Sequence, residues 1–306
     1  MWWYPVESMA KQQMEGAVSR FLHKKYVHLF LIAVACLLGL LIMLYPVISN
    51  LLYDTRQDGV IQAYEAEIDA SEDASVLQAL VSARRYNRQL ASGVKPLHDP
   101  FLSPEAEDAD ERLRSLMDVT GTGVIATLDI PVLSLSLPVY CGTDNETLEH
   151  GIGVLEISSL PVGGESTHSV LCGHSGLSTA KLFSDLELMK AGDCFSLRVL
   201  GEVLTYQVDQ ITTVLPEDFS QLEIEPGKDF CTLLTCTPFG VNTHRLLVRG
   251  TRIPTPERPI SVSTEETPLQ SVWVREYIKS VFLGLVVVLC CVVVSLLIHS
   301  ARRGKR

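Results

Sequence analysis

The sequence predicts a mainly β protein, a closed or nearly closed barrel, held between two helices long enough to cross a membrane. Three observations carry that expectation. From Gly123 onward, "GVIATLDI", "LSLSLPVY", "THSVLCG", "DCFSLRVL", "EVLTYQVDQITTVL", "DFCTLLTC" and "RLLVRG" form short β-rich runs parted by turn residues. Seven or eight such runs over about 130 residues suit a barrel better than a doubly wound sheet. Two runs of 19 uncharged residues, Leu29 to Val47 and Ser280 to Ile298, bracket the chain. At 1.5 Å per residue each spans roughly 28 Å, close to a hydrocarbon core of about 30 Å. Third, Ile61, Tyr64 and Ile68, then Leu77, Leu80 and Val81, recur at helical spacing, which predicts a helix over residues 54–92 stopped by Gly93.

The elements follow in order. Residues 1–26 read as a cytoplasmic N-terminus and 27–50 as a membrane span; no A-x-A-like cleavage site follows it. Residues 51–92 form a helical extension, and 93–118 an irregular acidic segment, "VKPLHDPFLSPEAEDADE", too polar and Pro-rich for a core element. Residues 119–252 hold the β domain, with one helix predicted from Thr179 to Met189 behind Ser178 as N-cap. A Pro-rich stalk, 253–276, leads to the second span, 277–299, and a basic tail, 300–306. Lys11, Arg20, Lys24 and Lys25 precede the first span; Arg302, Arg303, Lys305 and Arg306 follow the second. The positive-inside rule therefore puts both termini in the cytoplasm and the β domain outside. That outer part, 51–276, carries 16 Lys and Arg against 34 Asp and Glu, the wrong sign for nucleic acid or an anionic lipid surface.

Five cysteines lie in the outer part: Cys141, Cys172, Cys194, Cys231 and Cys236. An odd number leaves at least one thiol unpaired. The stretch "TLLTCTPFGVNTHRLLVRG" suggests which one matters. As a strand, "FCTLLTC" ends at Cys236 and turns Cys231 to the other face. If "RLLVRG" pairs with it antiparallel, Arg245 sits across from Cys236, whereas Arg249 lies roughly 13 Å farther along at 3.3 Å per residue. A guanidinium beside a thiol favours the thiolate and can receive the oxyanion formed at an attacked carbonyl. Such chemistry needs a proton carrier. Of His150, His168, His174 and His244, His174 stands at a strand exit between glycines, "VLCGHSGLS", where a side chain is displayed. No zinc-type Cys/His spacing occurs, and no metal or other cofactor is expected.

"TLLTC" followed by "TPFGVNTHRLLVRG" resembles the active-site signature of the sortases, specifically the pilin-polymerising class C enzymes. The likeness runs on through "LPVYCGTDNETLEHGIGVLEISSLPVGGESTHSVLCGHSGLSTAKLFSDL". It implies an eight-stranded sortase barrel, with Cys236 as nucleophile, His174 as acid/base and Arg245 on the oxyanion side. Asp99, Pro100 and Phe101 match a lid in which the acid meets the arginine and the aromatic covers the cysteine. Leu234, Thr235 and Ser175, which flank these residues, are expected to line the substrate site. The implied reaction cleaves an LPxTG-like signal between Thr and Gly through a thioester, then joins it to a lysine of another pilin. Cell-wall attachment of proteins, simple peptidase action and an inactive membrane-held scaffold for pilus subunits stay open. Cys141 stands where the family often has histidine, Val154 and Ile157 replace residues of "GHLEG", and Ser175 and Ser178 replace a common Arg and Pro. The sequence leaves open whether Cys141 and Cys172 form a disulfide.

Overall fold

A computed structural model describes the backbone of residues 6–93, 114, 116–156, 158–177, 179–256 and 271–303. The chain divides after Ser49 into two units, Met1–Ser49 and Asn50–Arg306. The first is helical throughout its described length, as the start of helix α1 (Val6–Ala70). Apolar side chains such as Leu38, Leu41 and Ile42 are exposed along it. Among the described residues one helical stretch, Leu37–Ala70, is long and apolar enough to cross a membrane.

In the second unit α1 ends at Ala70, and α2 (Asp73–Ala91) follows after a break. The periodicity predicted one unbroken helix here. The break has a local cause: the Ser71 hydroxyl and amide donate to the carbonyls of Glu67 and Ile68, and Glu72 is extended at φ −63°, ψ 127°. A serine side chain that takes a backbone carbonyl competes with helix propagation.

Ile61, Tyr64, Ile68 and Leu80 are buried, whereas α2 is rotated so that its other two periodic residues face out. Leu77 and Val81 are exposed, while Ala79, Leu80, Ala83 and Asn87 face inward. Asn87 sets that face. Its Nδ2 donates to the Leu160 carbonyl at 2.9 Å, and its Oδ1 accepts from the Leu160 amide at 2.8 Å. The small alanines let the helix approach closely enough for this pair.

The barrel closes through β1 (Val124–Ile130), β2 (Leu135–Cys141), β3 (Ile152–Val154), β4 (Thr167–Cys172), β5 (Cys194–Val199), β6 (Glu202–Val214), β7 (Asp229–Thr237) and β8 (His244–Ile253). The strand order is β1-β2-β3-β4-β7-β8-β6-β5, closed by the β1–β5 pair. β2–β3 and β4–β7 are parallel; the other pairs are antiparallel. Strand β3, three residues long, and a short helix α3 (Asn145–His150) went unrecognised in the sequence. Asp144 caps α3 by accepting from the Thr147 amide at 2.9 Å.

The helix predicted at Thr179–Met189 is instead a 3₁₀ segment, Leu182–Leu188. The Phe183 amide donates to the carbonyl of His174, which removes it from any α-helical ladder. Ser178 and Ile157 lie outside the described residues. The last helix, α4 (Val272–Arg303), contains the second apolar run.

Two apolar clusters fill the unit. Leu128, Leu171, Phe195, Tyr206, Cys231, Leu233 and Val248 belong to the barrel interior. Outside it, Val170, Cys172, Leu234 and Leu247 meet Leu148, Leu155, Val214 and Leu222. Strand β7 is thus buried on both faces, so its alternation is hidden in the sequence.

The register also decides the thiols. Cys141 pairs with Val154 and Cys172 with the next residue back, Gly153. Side chains of adjacent residues point to opposite faces, so the two sulfurs cannot meet. Cys141 is a free thiol, and burial pushes its pKa up to about 12.

Gly153 is the tightest point of this region. A Cβ there would stand 2.1 Å from the Gly142 carbonyl oxygen, a backbone atom that cannot step aside. Gly153→Ala is expected to destabilise the fold by about 1–3 kcal/mol, the usual cost of overpacking, or more. Thermal unfolding of the detergent-solubilised chain measures it; an unchanged midpoint would contradict the packing described.

Candidate active site

Cys236 is the penultimate residue of β7, and its direct partner across the antiparallel pair is Arg245, the second residue of β8. Both are buried, at 6 % and 4 % exposure. They share a face with Leu234 and Leu247, hence with the outer cluster and not the barrel interior. Cys231, five residues back, belongs to the interior. Burial holds its thiol well above the ordinary range, and Asp229 adds to the effect.

On the other flank of β7 lies β4. Their parallel register ends at Cys172 with Leu234. It is continued beyond the strand by two hydrogen bonds: the Gly173 amide donates to the Leu234 carbonyl at 3.1 Å, and the Thr235 hydroxyl donates to the Gly173 carbonyl at 2.6 Å. Extended two residues past Cys172, the same register would set His174 level with Cys236. The three sequence candidates therefore occupy adjacent positions on three neighbouring strand ends, in the order His174, Cys236, Arg245.

Gly173 permits this approach. A Cβ there would lie 2.5 Å from Ile152 Cδ1 and 2.7 Å from Phe183 Cδ2. Burial lowers the His174 pKa from the ordinary imidazole range, against an upward pull from Glu149. Burial thus favours the neutral ring, the form that can take a proton. Arg245 Nη1 donates to the carbonyls of Asn242 and His244, at 3.2 and 3.1 Å, so the β7–β8 turn orients the planar guanidinium.

The remaining histidines and the second arginine are committed elsewhere. His168 is buried, with Nδ1 against the Glu223 carbonyl at 2.9 Å and Nε2 against the Thr232 hydroxyl at 2.7 Å. His150 Nδ1 meets the Glu146 carbonyl on α3, and His244 Nδ1 meets the Thr243 hydroxyl. Arg249 faces Thr232, pairs with Asp209 and Glu225, and lies 4.2 Å over the Phe230 ring.

Of the expected substrate-lining residues, Leu234 joins the outer cluster and Ser175 is buried in the His174 loop. Thr235 is buried and spends its hydroxyl on Gly173, so its part is to tie β7 to that loop. Asp99, Pro100 and Phe101 lie outside the described residues.

Sequence reasoning missed the groove that adjoins Arg245. It is a small cavity lined by Val214, Leu215, Pro216, Phe219, Leu222, Leu234 and Leu247, with Asp218 among them. The β6–β7 connection forms one wall, and its signal was the apolar spacing in "VLPEDFSQL".

The family model described as a sortase domain matches residues 128–253, nearly the whole barrel. The chain is 37% identical to sortase C1 of GBS pilus island 1, covering 68% of this chain and 98% of that one, with a TM-score of 0.61. The chain belongs to the class C sortases. Sortase C-1 of Actinomyces oris is 47% identical, over 59% of this sortase and 99% of its own chain, with a TM-score of 0.55. The Streptococcus pneumoniae sortase C, whose structure is described in terms of pilin substrate specificity, is 42% identical, over 66% and 100%, with a TM-score of 0.60. Among curated proteins, sortase A of Streptococcus agalactiae is 33% identical over 130 residues, 42% of this chain and 52% of its own. This sortase spans about half the length of the curated relatives it matches.

Proposed function

We propose that this chain is a membrane-held cysteine transpeptidase that polymerises pilins. The observation that carries the reading is the pairing of Cys236 with Arg245 on one flank and the His174 loop on the other. In this mechanism neutral His174 takes the Cys236 proton as the sulfur attacks the Thr carbonyl of an LPxTG-like signal. Arg245 receives the negative charge on the carbonyl oxygen. Collapse expels the Gly amine with the proton from His174, leaving the acyl group as a thioester on Cys236. A lysine amine of a second pilin attacks that thioester, forming an isopeptide bond and restoring the thiol. The likeness to pilus-related sortases C supports pilins as substrates.

The same reading assigns the apolar runs of α1 and α4 to two membrane spans, with cytoplasmic termini and the barrel outside. The basic flanks support that orientation. Asp99, Pro100 and Phe101 act as a removable cover over the site. Closure of this kind restricts water, which would otherwise hydrolyse the thioester.

The test is the product. Full-length protein in detergent, incubated with pilins bearing the signal, is expected to give detergent-resistant ladders, with mass spectrometry showing a Thr–Lys isopeptide. Free Thr acid alone would make the chain a peptidase. Transfer only to cell-wall peptide amines would make it a surface-protein anchoring enzyme.

A further inference from the structure

The first turn of α4 is buried against the barrel unit, while the residues after it are exposed. Ser271, Val272 and Trp273 are 8 %, 3 % and 8 % exposed, whereas Ile278 and Phe282 are open. The Trp273 indole Nε1 donates to the Leu177 carbonyl at 3.0 Å, and its backbone amide donates to Asp185 Oδ1 at 3.3 Å. Both acceptors belong to the segment that carries His174. Leu177 is three residues beyond the histidine. Asp185, wholly buried, sits in the 3₁₀ segment whose Phe183 amide holds the His174 carbonyl.

Other bonds knit the same segment. The Gly176 amide donates to the Ser184 hydroxyl at 3.0 Å. Lys181 Nζ pairs with Asp185 Oδ2 at 2.7 Å, and the Lys181 amide donates to Asn50 Oδ1 of α1 at 2.8 Å. The His174 loop is thus gripped from outside the barrel by α1 through Asn50 and by α4 through Trp273. A membrane anchor alone needs no such contacts. A tryptophan that spends its ring N–H on a loop carbonyl while stacked on Tyr277, rings 6.0 Å apart, is a built fixture.

We infer that Trp273 is a positioning residue for His174, so that the helix bearing the second apolar run also sets the geometry of the acid/base. Resting on the transpeptidase reading, this adds a task to a segment otherwise counted as an anchor. The physical reason is the sensitivity of proton transfer to placement: an error of about 1 Å can cost as much as about 100-fold in rate. Loss of one bond through an intact loop costs less. Trp273 lies seven residues before Ser280, where the apolar run starts, so about 10 Å of helix separates the pinned loop from the apolar run. That spacing would hold the His174 end of the site close to the membrane surface from which a sorting signal emerges.

Trp273→Phe removes the indole N–H and leaves the aromatic ring and the backbone bond to Asp185. In the full-length protein in nanodiscs, acyl-enzyme formation with a sorting-signal peptide is expected to lose about 5–20-fold in kcat. KM should stay within about twofold, because the Trp273 ring contacts are outside the strand ends that carry Cys236 and Arg245. Circular dichroism and the thermal unfolding midpoint give the folded fraction, so rates are expressed per folded protein. An unchanged kcat per site would overturn the positioning role. So would a KM that rises as much as kcat falls, or a rate loss that disappears after correction for folded sites. If wild-type protein forms no acyl-enzyme in the same assay, the transpeptidase reading itself fails, and that result is read separately from the variant.

Discussion

Cys236→Ala is expected to abolish the acyl-enzyme and lower ladder formation by about 10⁴-fold or more, because the proposed mechanism carries the acyl group on this sulfur. The substitution is a clean probe. Cys236 is paired in register with Arg245, and alanine keeps that backbone pairing while removing one sulfur atom. The folded structure should therefore survive with a small stability change. Cys231→Ala is the control. Its thiol faces the interior and is held protonated by burial, so its removal should cost about 1–2 kcal/mol of stability through a small cavity but leave turnover per folded site unchanged. Mass spectrometry after incubation with a sorting-signal peptide separates the two: an acyl adduct on Cys231→Ala and none on Cys236→Ala. An adduct of equal abundance on both would remove Cys236 from the chemistry.

Those two cysteines also show what the sequence could and could not convey. Their five-residue spacing on a strand placed them on opposite faces, and the hairpin around "TPFGVNTH" put Arg245 opposite Cys236. Both inferences are local, resting on the period of a strand and the closure of a turn. The position of His174 is not local. It follows from the parallel pairing of β4 with β7, which are separated by more than fifty residues, and no spacing in the sequence encodes it.

The errors have similar causes. Leu77, Leu80 and Val81 marked helical spacing in α2, but only Leu80 is buried, and the inward face carries Asn87, bonded to the backbone of Leu160. A polar pair with a long-range partner outranked apolar periodicity. The predicted helix after Ser178 became a 3₁₀ segment whose Phe183 amide is given to the His174 carbonyl. Strand β3 is too short to show a period at all. The cavity beside Arg245 is built mostly by the β6–β7 connection, whose apolar spacing in "VLPEDFSQL" does not say which strand it folds against. Trp273 lies in a stretch whose composition signals a stalk and a span, and only its hydrogen bonds disclose a contact with the barrel.

Arg245→Lys is expected to lower kcat by about 10²–10³-fold, the usual loss when one donor to a developing oxyanion is removed. The charge is kept, so the experiment asks whether charge is enough. In the native site two carbonyls of the β7–β8 turn hold Nη1, and because the guanidinium is rigid, fixing one nitrogen fixes the plane of the whole fork. A lysine ammonium is a point on a flexible stem; it cannot be held by the turn and still reach the carbonyl oxygen above Cys236. Arg249→Lys provides the comparison on the same strand face. Its guanidinium is bonded to Asp209 and Glu225 over the Phe230 ring, so its replacement should affect stability but leave kcat within about threefold. Single-turnover kinetics with a sorting-signal peptide distinguish the two positions. Near-wild-type rates in Arg245→Lys would mean that a nearby positive charge suffices and that the turn carbonyls have no part in catalysis. Equal losses in both variants would mean that β8 as a whole, and not the fork opposite Cys236, had been disturbed.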